Sequence, residues 1–183
     1  MYVDIPLTEY YVLYPRPAYL IVSRGADGKL NVMSASWVTP VYDDPFTVAV
    51  SIWSKSLTHQ YLCETGEATI NVVGEEHAQL AYDVGRVSGR EVDKWSAYGL
   101  RPVKSSVIKT PGIEGSLGFL ECVVVGKVPV GESTIFLNEV KAVHVKKDFY
   151  GRHGWDLKKA KILMHCGGRA FTTVSHLILA ERR

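Results

Sequence analysis

The chain has 183 residues, of which 46% are hydrophobic and 22% are charged, and its formal net charge is +2 at pH 7. This length and composition predict one globular domain over residues 1–183 with a sizeable core, and they exclude an intrinsically disordered chain. The scattered, nearly balanced charge gives nucleic-acid binding no support, and no apolar stretch approaches the roughly 20 residues of a membrane-spanning helix.

The first part of the sequence predicts a hairpin, a loop and a third strand. Residues 18–23 are an apolar run of strand length, and the glycine-containing segment 25–29 supplies a turn before a second strand over 30–39. The prolines in 40–45 predict a loop, because proline cannot donate a hydrogen bond to a strand partner. Residues 46–53 alternate as a half-buried strand does.

The middle of the chain predicts helices on either side of a fourth strand. Hydroxyl side chains open a helix over 56–65, and Gly66 ends it. Residues 68–73 predict the fourth strand. Residues 75–86 place apolar side chains at helical spacing behind an acidic first turn, and Asp93 opens a further helical turn.

The second half predicts a long hairpin, formed by strands over 117–125 and 133–145 with a turn at 129–132. A slip in the apolar phase at 138–140 predicts a bulge. Six strands in hairpins with two or three peripheral helices predict a mainly β fold, an antiparallel barrel rather than a sandwich. No Gly-x-Gly-x-x-Gly follows a strand, so a doubly wound dinucleotide-binding fold is disfavoured.

The cysteines bear on the compartment. Cys63, Cys122 and Cys166 are odd in number and far apart, so we expect neither a disulfide framework nor a metal site. We interpret all three as reduced, buried, small apolar side chains, which predicts a cytoplasmic protein. The N-terminus has neither the cationic start nor the apolar run of a signal peptide.

Hydroxyls and one cation surround the predicted start of the first helix, at Ser54, Lys55, Ser56, Thr58 and His59. A helix N-terminus leaves backbone N–H groups free and carries a partial positive charge. Ser56 and Thr58 with Lys55 therefore suit a phosphate. Ordinary capping accounts for the same residues, and both interpretations stay open.

The second predicted strand has polar side chains on both faces, at Asn31, Ser34, Ser36 and Thr39. Asn31 is out of phase with the two serines. Contact with a flat polar ring and solvation of the strand face are both consistent with this pattern. Trp37 suits either stacking on such a ring or packing in the core.

The segment His165-Cys166-Gly167-Gly168-Arg169 combines an imidazole, a thiol, flexible backbone and a cation. A Cys–His nucleophilic site, a glycine-rich turn that closes over a ligand and a plain turn are the three interpretations of this segment.

Four segments are informative because of the order in which they occur. They are Asn31-x-Met33-x-Ala35-Ser36-Trp37, Asp44-Pro45-Phe46, Lys55-Ser56-x-Thr58-His59 and Gly66-Glu67-Ala68-x-x-Asn71-Val72. Shorter matches follow at 92–95, 99–100, 120–122 and 138–140. Together, over residues 14–173, they resemble the flavin reductase-like, FMN-binding split-barrel family, in its flavoredoxin and ferric reductase branch.

This resemblance implies a six-stranded antiparallel split β-barrel that forms a homodimer and holds non-covalent FMN at the dimer interface. It implies that the flavin ring borders Met33–Thr39, that the ribityl chain lies near Ser51 and Ile52, and that Lys55, Ser56 and Thr58 hold the phosphate. His165 and Arg169 are the candidates near the flavin for catalysis. The cofactor-binding residues so predicted are Asn31, Met33, Ser34, Ala35, Ser36, Trp37, Val38, Thr39, Ser51, Ile52, Lys55, Ser56 and Thr58.

The resemblance also implies a function: NAD(P)H reduces the flavin, which passes electrons to free flavin, ferric chelates or oxygen. On this hypothesis the protein is an NAD(P)H-dependent flavin or ferric reductase with a small-molecule donor and acceptor. The alternative is a flavoredoxin-like FMN electron carrier that a protein partner reduces. A third hypothesis is an interaction module that binds no flavin.

Overall fold

The structure is a computed structural model that describes residues 1–152, 154–174 and 176–181. In chain order its strands are β1 (Arg16–Pro17), β2 (Tyr19–Arg24), β3 (Leu30–Ala35), β4 (Val38–Asp43), β5 (Phe46–Trp53), β6 (Glu67–Val72), β7 (Pro102–Val103), β8 (Gly112–Ile113), β9 (Gly118–Val130), β10 (Ser133–Val145), β11 (Tyr150–Gly151), β12 (Gly154–Trp155), β13 (Leu163–Gly167) and β14 (Ala170–Thr173). The helices are α1 (Leu57–Thr65), α2 (Ala78–Arg86) and α3 (Lys94–Ala97), with 3-10 turns at Tyr10–Leu13, Glu75–His77 and Lys147–Phe149.

The main sheet has the strand order β3-β2-β6-β9-β10-β5-β4, and every neighbouring pair is antiparallel. Its two edge strands, β3 and β4, are consecutive in the chain, and only Ser36 and Trp37 join them. Because two residues span so short a distance, the sheet curls until its edges approach each other at this corner. The edges do not pair, so the predicted mainly β, antiparallel split barrel is confirmed.

Two strand predictions are wrong in detail at this corner. The single strand predicted over 30–39 is two strands, because β3 pairs with β2 whereas β4 pairs with β5. The loop predicted over 40–45 is largely β4, which includes Pro40. A proline is tolerated there because β4 is an edge strand, and the pairing is irregular between Pro40 and Tyr42. The extra strand gives the sheet seven members.

Apolar side chains fill both faces of the central strands. Inside the curled sheet, Ile21 and Phe136 pack with the inward residues of β5, Val48, Val50 and Ile52. On the other face of β2, a second cluster packs against α2 and consists of Ala18, Leu20, Val22, Val32, Val73, Ala81, Val84, Ile113 and Leu163. Burial of both faces holds β2 and β3 in place beneath α2. Each fully buried valine, leucine, isoleucine or phenylalanine side chain contributes about 1.5–3 kcal/mol.

The predicted helix ends and both hairpins are confirmed, but β9 runs on to Val130, so the second turn is shorter than the predicted 129–132. Ser56 caps α1 by accepting a hydrogen bond from the His59 backbone N–H, and Gly66 ends the helix in the left-handed region at φ 68°. Asp93 caps α3 in the same way. The β9–β10 hairpin shifts register after Leu137 and Val140, where the bulge was predicted.

A buried carboxylate organises the loop that precedes β8. Glu121 on β9 is fully buried and accepts hydrogen bonds from the backbone N–H groups of Ser106, Val107 and Ile108. His144 Nε2 lies 2.6 Å from the same carboxylate. Burial alone raises the pKa of Glu121, but these hydrogen bonds lower it to about 2. The carboxylate therefore stays ionised and fixes the loop to the sheet.

Candidate functional site

Two clefts flank the corner at Ser36 and Trp37, where the edges of the sheet meet. The first, which we name the aromatic cleft, has a volume of about 360 Å³. It is lined by Tyr10, Leu13, Tyr14, Arg16, Trp37, Thr39, Ala49, Ser51 and Ile135. Ala49 and Ser51 come from the outer face of β5, since its alternate residues face the core. Aromatic and aliphatic walls with a few hydroxyls suit a flat ring.

The aromatic walls come largely from the segment before β1. The rings of Tyr10 and Trp37 meet edge to face, with centroids 5.6 Å apart. Tyr11 and Tyr14 pack in the same cluster at 5.1 Å. Such pairs contribute about 0.5–1.5 kcal/mol beyond their buried area, so they hold the segment over the corner.

The second cleft, which we name the cationic cleft, lies on the other side of Ser36 and has a volume of about 440 Å³. It is lined by Ala18, Ser34, Ala35, Ser36, Ala81, Tyr82, Gly85, Arg86, His165, Gly168, Arg169 and Phe171. The guanidinium of Arg86 lies 5.3 Å from the Tyr82 ring centroid. Two arginines in one cleft suit an anionic group such as a phosphate.

A buried amine fixes α2 against β3 and so shapes the cationic cleft. Lys94 Nζ donates hydrogen bonds to the carbonyl oxygens of Val32 at 2.9 Å and Val84 at 2.7 Å. Val84 directly precedes Gly85 and Arg86, which line the cleft. Burial lowers the pKa of Lys94 to about 8.

The side chains of Trp37, Tyr14, Ser36 and His165 separate the two clefts, and we name them the wall. A chain of hydrogen bonds runs through it. Trp37 Nε1 donates to the Tyr14 hydroxyl at 2.9 Å, and that hydroxyl lies 3.2 Å from Ser36 Oγ. Ser36 Oγ lies 3.5 Å from His165 Nδ1, whose other nitrogen, Nε2, lies 3.1 Å from the Gly168 carbonyl oxygen. Four side chains thus connect the aromatic cleft with the cationic cleft.

The predicted phosphate residues divide into two environments. Lys55 is exposed; its Nζ lies 3.2 Å from Glu132 Oε1 and 5.8 Å from the Trp53 ring centroid. Ser56 caps α1. Thr58, in contrast, is buried, and its hydroxyl accepts a hydrogen bond from Asn31 Nδ2 at 2.9 Å. Asn31 is also buried, so neither of these two side chains is presented to a ligand.

Other predicted ring contacts also face the interior. Val38 and Ile52 belong to the core inside the sheet, and Met33 and Ala35 pack against it. Ala35 also lines the cationic cleft. Any contact from Val38 or Ile52 to a ligand would have to come from the backbone, whereas Met33 is only partly buried. Of the predicted site residues, those that line a cleft are Ser34, Ala35, Ser36, Trp37, Thr39, Ser51, His165 and Arg169.

Sequence reasoning missed several lining residues. Tyr14 and Arg16 adjoin Pro15 and Pro17 and lie outside the elements predicted from the sequence. Arg86 ends α2, and Phe171 lies on β14. For Tyr14 the available signal was the tyrosine-rich segment 10–14, an unusual concentration of hydroxyl-bearing rings before a strand.

Solvent exposure distinguishes the three cysteines, and burial affects His59. Cys122 is buried, and burial raises its pKa to about 12, so it is an inert thiol. Cys63 is exposed on α1, and Cys166 is partly buried, so the prediction of three buried cysteines is wrong for both. His59 Nε2 lies 3.0 Å from Thr134 Oγ1, and burial lowers the pKa of His59, with Lys127 adding to the effect.

Within the described residues, no helix combines the length and apolar character that crossing a membrane requires.

Comparison with known proteins gives one family and a consistent set of folds. The family model described as flavin reductase like domain matches residues 11–173. An uncharacterized protein of Archaeoglobus fulgidus is 35% identical over 172 residues, which cover 93% of this chain and 94% of that protein.

Two solved structures share the fold at lower identity. The flavoredoxin of Desulfovibrio vulgaris (Miyazaki F) has a TM-score of 0.87 at 23% identity and covers 97% of each chain. The FMN-binding protein from Thermus thermophilus with bound 1-cyclohex-2-enone has a TM-score of 0.84 at 24% identity, over 99% of this chain and 98% of that one. The curled, unclosed sheet described above is therefore a recurring architecture.

Proposed function

The chain belongs to the flavin reductase-like domain family, and we propose that it is an FMN-binding oxidoreductase that reduces flavin or ferric chelates with NAD(P)H. The observation that carries this proposal is the aromatic cleft beside the outer face of β5. Ala49 and Ser51 line that cleft. Trp53, the next outward residue of the strand, lies beneath Lys55 at the start of α1.

The residues present fit FMN. Trp37 and Tyr14 offer aromatic surface to the ring, and Ser51 offers a hydroxyl to the ribityl chain. Lys55 and Ser56 would hold the phosphate: the exposed pair of Lys55 with Glu132 contributes little, so the ammonium is free to exchange partners. Ser56 uses its oxygen as an acceptor for the cap and keeps its hydroxyl hydrogen to donate. The flavin supplies the electron-transfer chemistry when it is bound.

The cationic cleft is the proposed place for the nicotinamide donor. Arg86 and Arg169 would bind its phosphates, and Phe171 offers a ring face to a base or to nicotinamide. His165 lies between this cleft and the wall. Ser36 lies in the wall between the two clefts, so donor and acceptor rings would approach each other from its two sides at the corner.

The first test is the visible spectrum of the freshly purified protein, followed by an FMN titration. We expect flavin absorption, and we expect Lys55→Gln to weaken FMN binding about tenfold, which corresponds to roughly 1.4 kcal/mol. The matched control is Lys29→Gln, because Lys29 is also exposed, pairs with Asp27 at 3.3 Å and lines neither cleft. A colourless protein that binds no FMN would instead favour an interaction module.

The second test separates a reductase from an electron carrier. The reductase oxidises NADH or NADPH steadily when FMN or a ferric chelate is supplied. The alternative, a flavoredoxin-like carrier reduced by a protein partner, would bind FMN and show almost no nicotinamide oxidation. Because a reductase and a carrier would both bind FMN, the rate of NADH or NADPH oxidation is the deciding measurement.

A homodimer is part of the proposal. β4 is an edge strand of the sheet and exposes Val41 and Tyr42, and Phe46 and Trp53 on β5 are exposed as well. Exposed apolar side chains along an unpaired edge are typical of an association surface. Sedimentation velocity should give a dimer mass, and Tyr42→Asp should shift the protein toward monomer. A cytoplasmic location remains a prediction.

A further inference from the structure

The chain across the wall has a direction, because its two ends allow only one role each. The Gly168 carbonyl oxygen can only accept, so His165 Nε2 carries the hydrogen in the neutral ring. The Trp37 indole N–H can only donate, so the Tyr14 oxygen accepts it. Between these ends, Tyr14 donates to Ser36 Oγ, and Ser36 donates to the bare Nδ1 of His165.

In this state Tyr14 donates its hydroxyl hydrogen to Ser36 Oγ within the wall. The phenol therefore presents no donor to the aromatic cleft. A ring that brings an acceptor oxygen or nitrogen to Tyr14 would meet the lone pairs of another acceptor. An unpaired buried acceptor is costly, so this state disfavours such a ligand.

One proton on His165 reverses the chain. With a hydrogen on both ring nitrogens, His165 donates from Nδ1 to Ser36 Oγ. Ser36 then turns its hydroxyl hydrogen to the Tyr14 oxygen, which already accepts from Trp37. The Tyr14 hydrogen is released from the wall and points to the aromatic cleft. No heavy atom needs to move, because Ser36 and Tyr14 only rotate their hydroxyl hydrogens.

We propose that Tyr14, Ser36 and His165 form a relay that couples binding of an acceptor-bearing ring in the aromatic cleft to the uptake of one proton at His165. The ligand class is a flat ring with a carbonyl or ionised oxygen, or a bare ring nitrogen, at its edge. Since the flavin ring is such a ligand, the inference rests on the proposed function and adds a proton linkage to it.

The charged and titratable groups near His165 come from the wall, from β1 and from the cationic cleft. Ser36 and Tyr14 contact it from the wall, Arg16 is its register partner on β1, and Tyr82, Arg86 and Arg169 line the same cleft. None of the described residues that line either cleft is a carboxylate. No carboxylate among these lining residues competes with Ser36 for a hydrogen on His165 Nδ1, so Ser36 and Tyr14 link His165 to the aromatic cleft.

The test is a calorimetric titration of FMN into flavin-free protein at about pH 7.5, above the ordinary histidine range. Two buffers of different ionisation enthalpy give the number of protons taken up on binding. The FMN phosphate also titrates near neutrality, but it contributes equally to wild type and variants. The difference between variants therefore reports the relay alone.

Wild type should take up about one proton more than Ser36→Ala, which has no titratable group at the changed position. Tyr14→Phe and His165→Gln should lose the same proton. Correspondingly, the FMN affinity of wild type should fall by up to tenfold per pH unit above neutrality relative to these variants. The control is His77→Gln, which removes a histidine that lines neither cleft and should keep the wild-type proton count.

Each outcome has one meaning. Equal proton counts for wild type and the three relay variants would overturn the relay and leave the proposed function standing. Failure of wild type to bind FMN would overturn both. If Ser36→Ala binds FMN too weakly to titrate, Tyr14→Phe and His165→Gln decide, and a wild-type count in either would refute the relay.

Discussion

Two polar networks in this molecule use their hydrogen bonds in opposite ways. At Glu121 a buried carboxylate accepts from three backbone N–H groups, from the Ser106 hydroxyl and from His144, so its capacity is filled. At Ser36 a chain of partly exposed side chains runs between two open clefts. The first network has no remaining site for a ligand, whereas the second ends in space that a ligand can enter.

The difference separates stability from function. A saturated, buried network loses free energy when any member is removed, because its partners are left unpaired. A network at an open edge loses little stability when it is changed, but its donors and acceptors determine what binds. Substitutions at Glu121 should therefore change unfolding and not ligand affinity, and substitutions around Trp37 should do the reverse.

The largest effect is expected for Glu121→Gln. The amide cannot accept from all of its present donors, so we expect a loss of about 2–4 kcal/mol in the free energy of unfolding. Urea denaturation measures the loss, and FMN affinity should stay within twofold. Glu114→Gln is the control, since Glu114 forms an exposed pair with Arg101 at 3.5 Å. Strong loss of FMN binding at wild-type stability would reverse the roles assigned to the two networks.

Acid should remove much of the same stabilisation. The folded pKa of Glu121, about 2, lies below its ordinary value, so the folded state binds this proton less readily than the unfolded state does. The stabilisation is complete above the ordinary carboxyl range near pH 4.5 and is lost as the pH falls toward about 2. Wild type should lose its advantage over Glu121→Gln across that window, as urea titrations at several pH values will reveal. A constant difference between the two proteins would contradict the assignment.

At the open edge, Trp37→Ala should weaken FMN binding roughly tenfold through loss of ring contact, since aromatic pairs contribute about 0.5–1.5 kcal/mol beyond area. Trp37 is 48% exposed, so the free energy of unfolding should change little. Fluorescence titration of FMN measures the affinity. Trp155→Ala provides a contrast, because Trp155 packs on a separate apolar cluster and lines neither cleft. Equal affinities of wild type and Trp37→Ala would remove the aromatic cleft as the ring site.

Local signals made most of the elements predictable. The cap at Ser56, the left-handed Gly66 and the hairpin turns depend on residues close in sequence, so one stretch contains the whole signal. The split after Ala35 was not predictable in this way. It depends on which distant strand each half pairs with, and neither β2 nor β5 is encoded in residues 30–43.

The candidate site shows the same limit. The segment 33–39 and His165 come together at the corner because β1 pairs with β13 and places Arg16 opposite His165. That pairing joins residues about 150 positions apart, so sequence could nominate the groups but not assemble them. The prediction of Thr58 as a phosphate ligand meets a similar limit. A hydroxyl in the first turn of a helix faces either solvent or the interior, and only the packing of α1 on β3 decides.

The smallest effect tests that last point. Thr58→Val keeps the shape of the side chain and removes the oxygen that accepts from Asn31 Nδ2. Because Asn31 is then left with an unpaired donor in the interior, we expect a loss of about 1 kcal/mol in the free energy of unfolding. FMN affinity should be unchanged, in contrast to Lys55→Gln. If Thr58→Val weakened FMN binding as much as Lys55→Gln does, the hydroxyl would have to reach the phosphate. The boundary between the buried and the open polar groups would then move to include the first turn of α1.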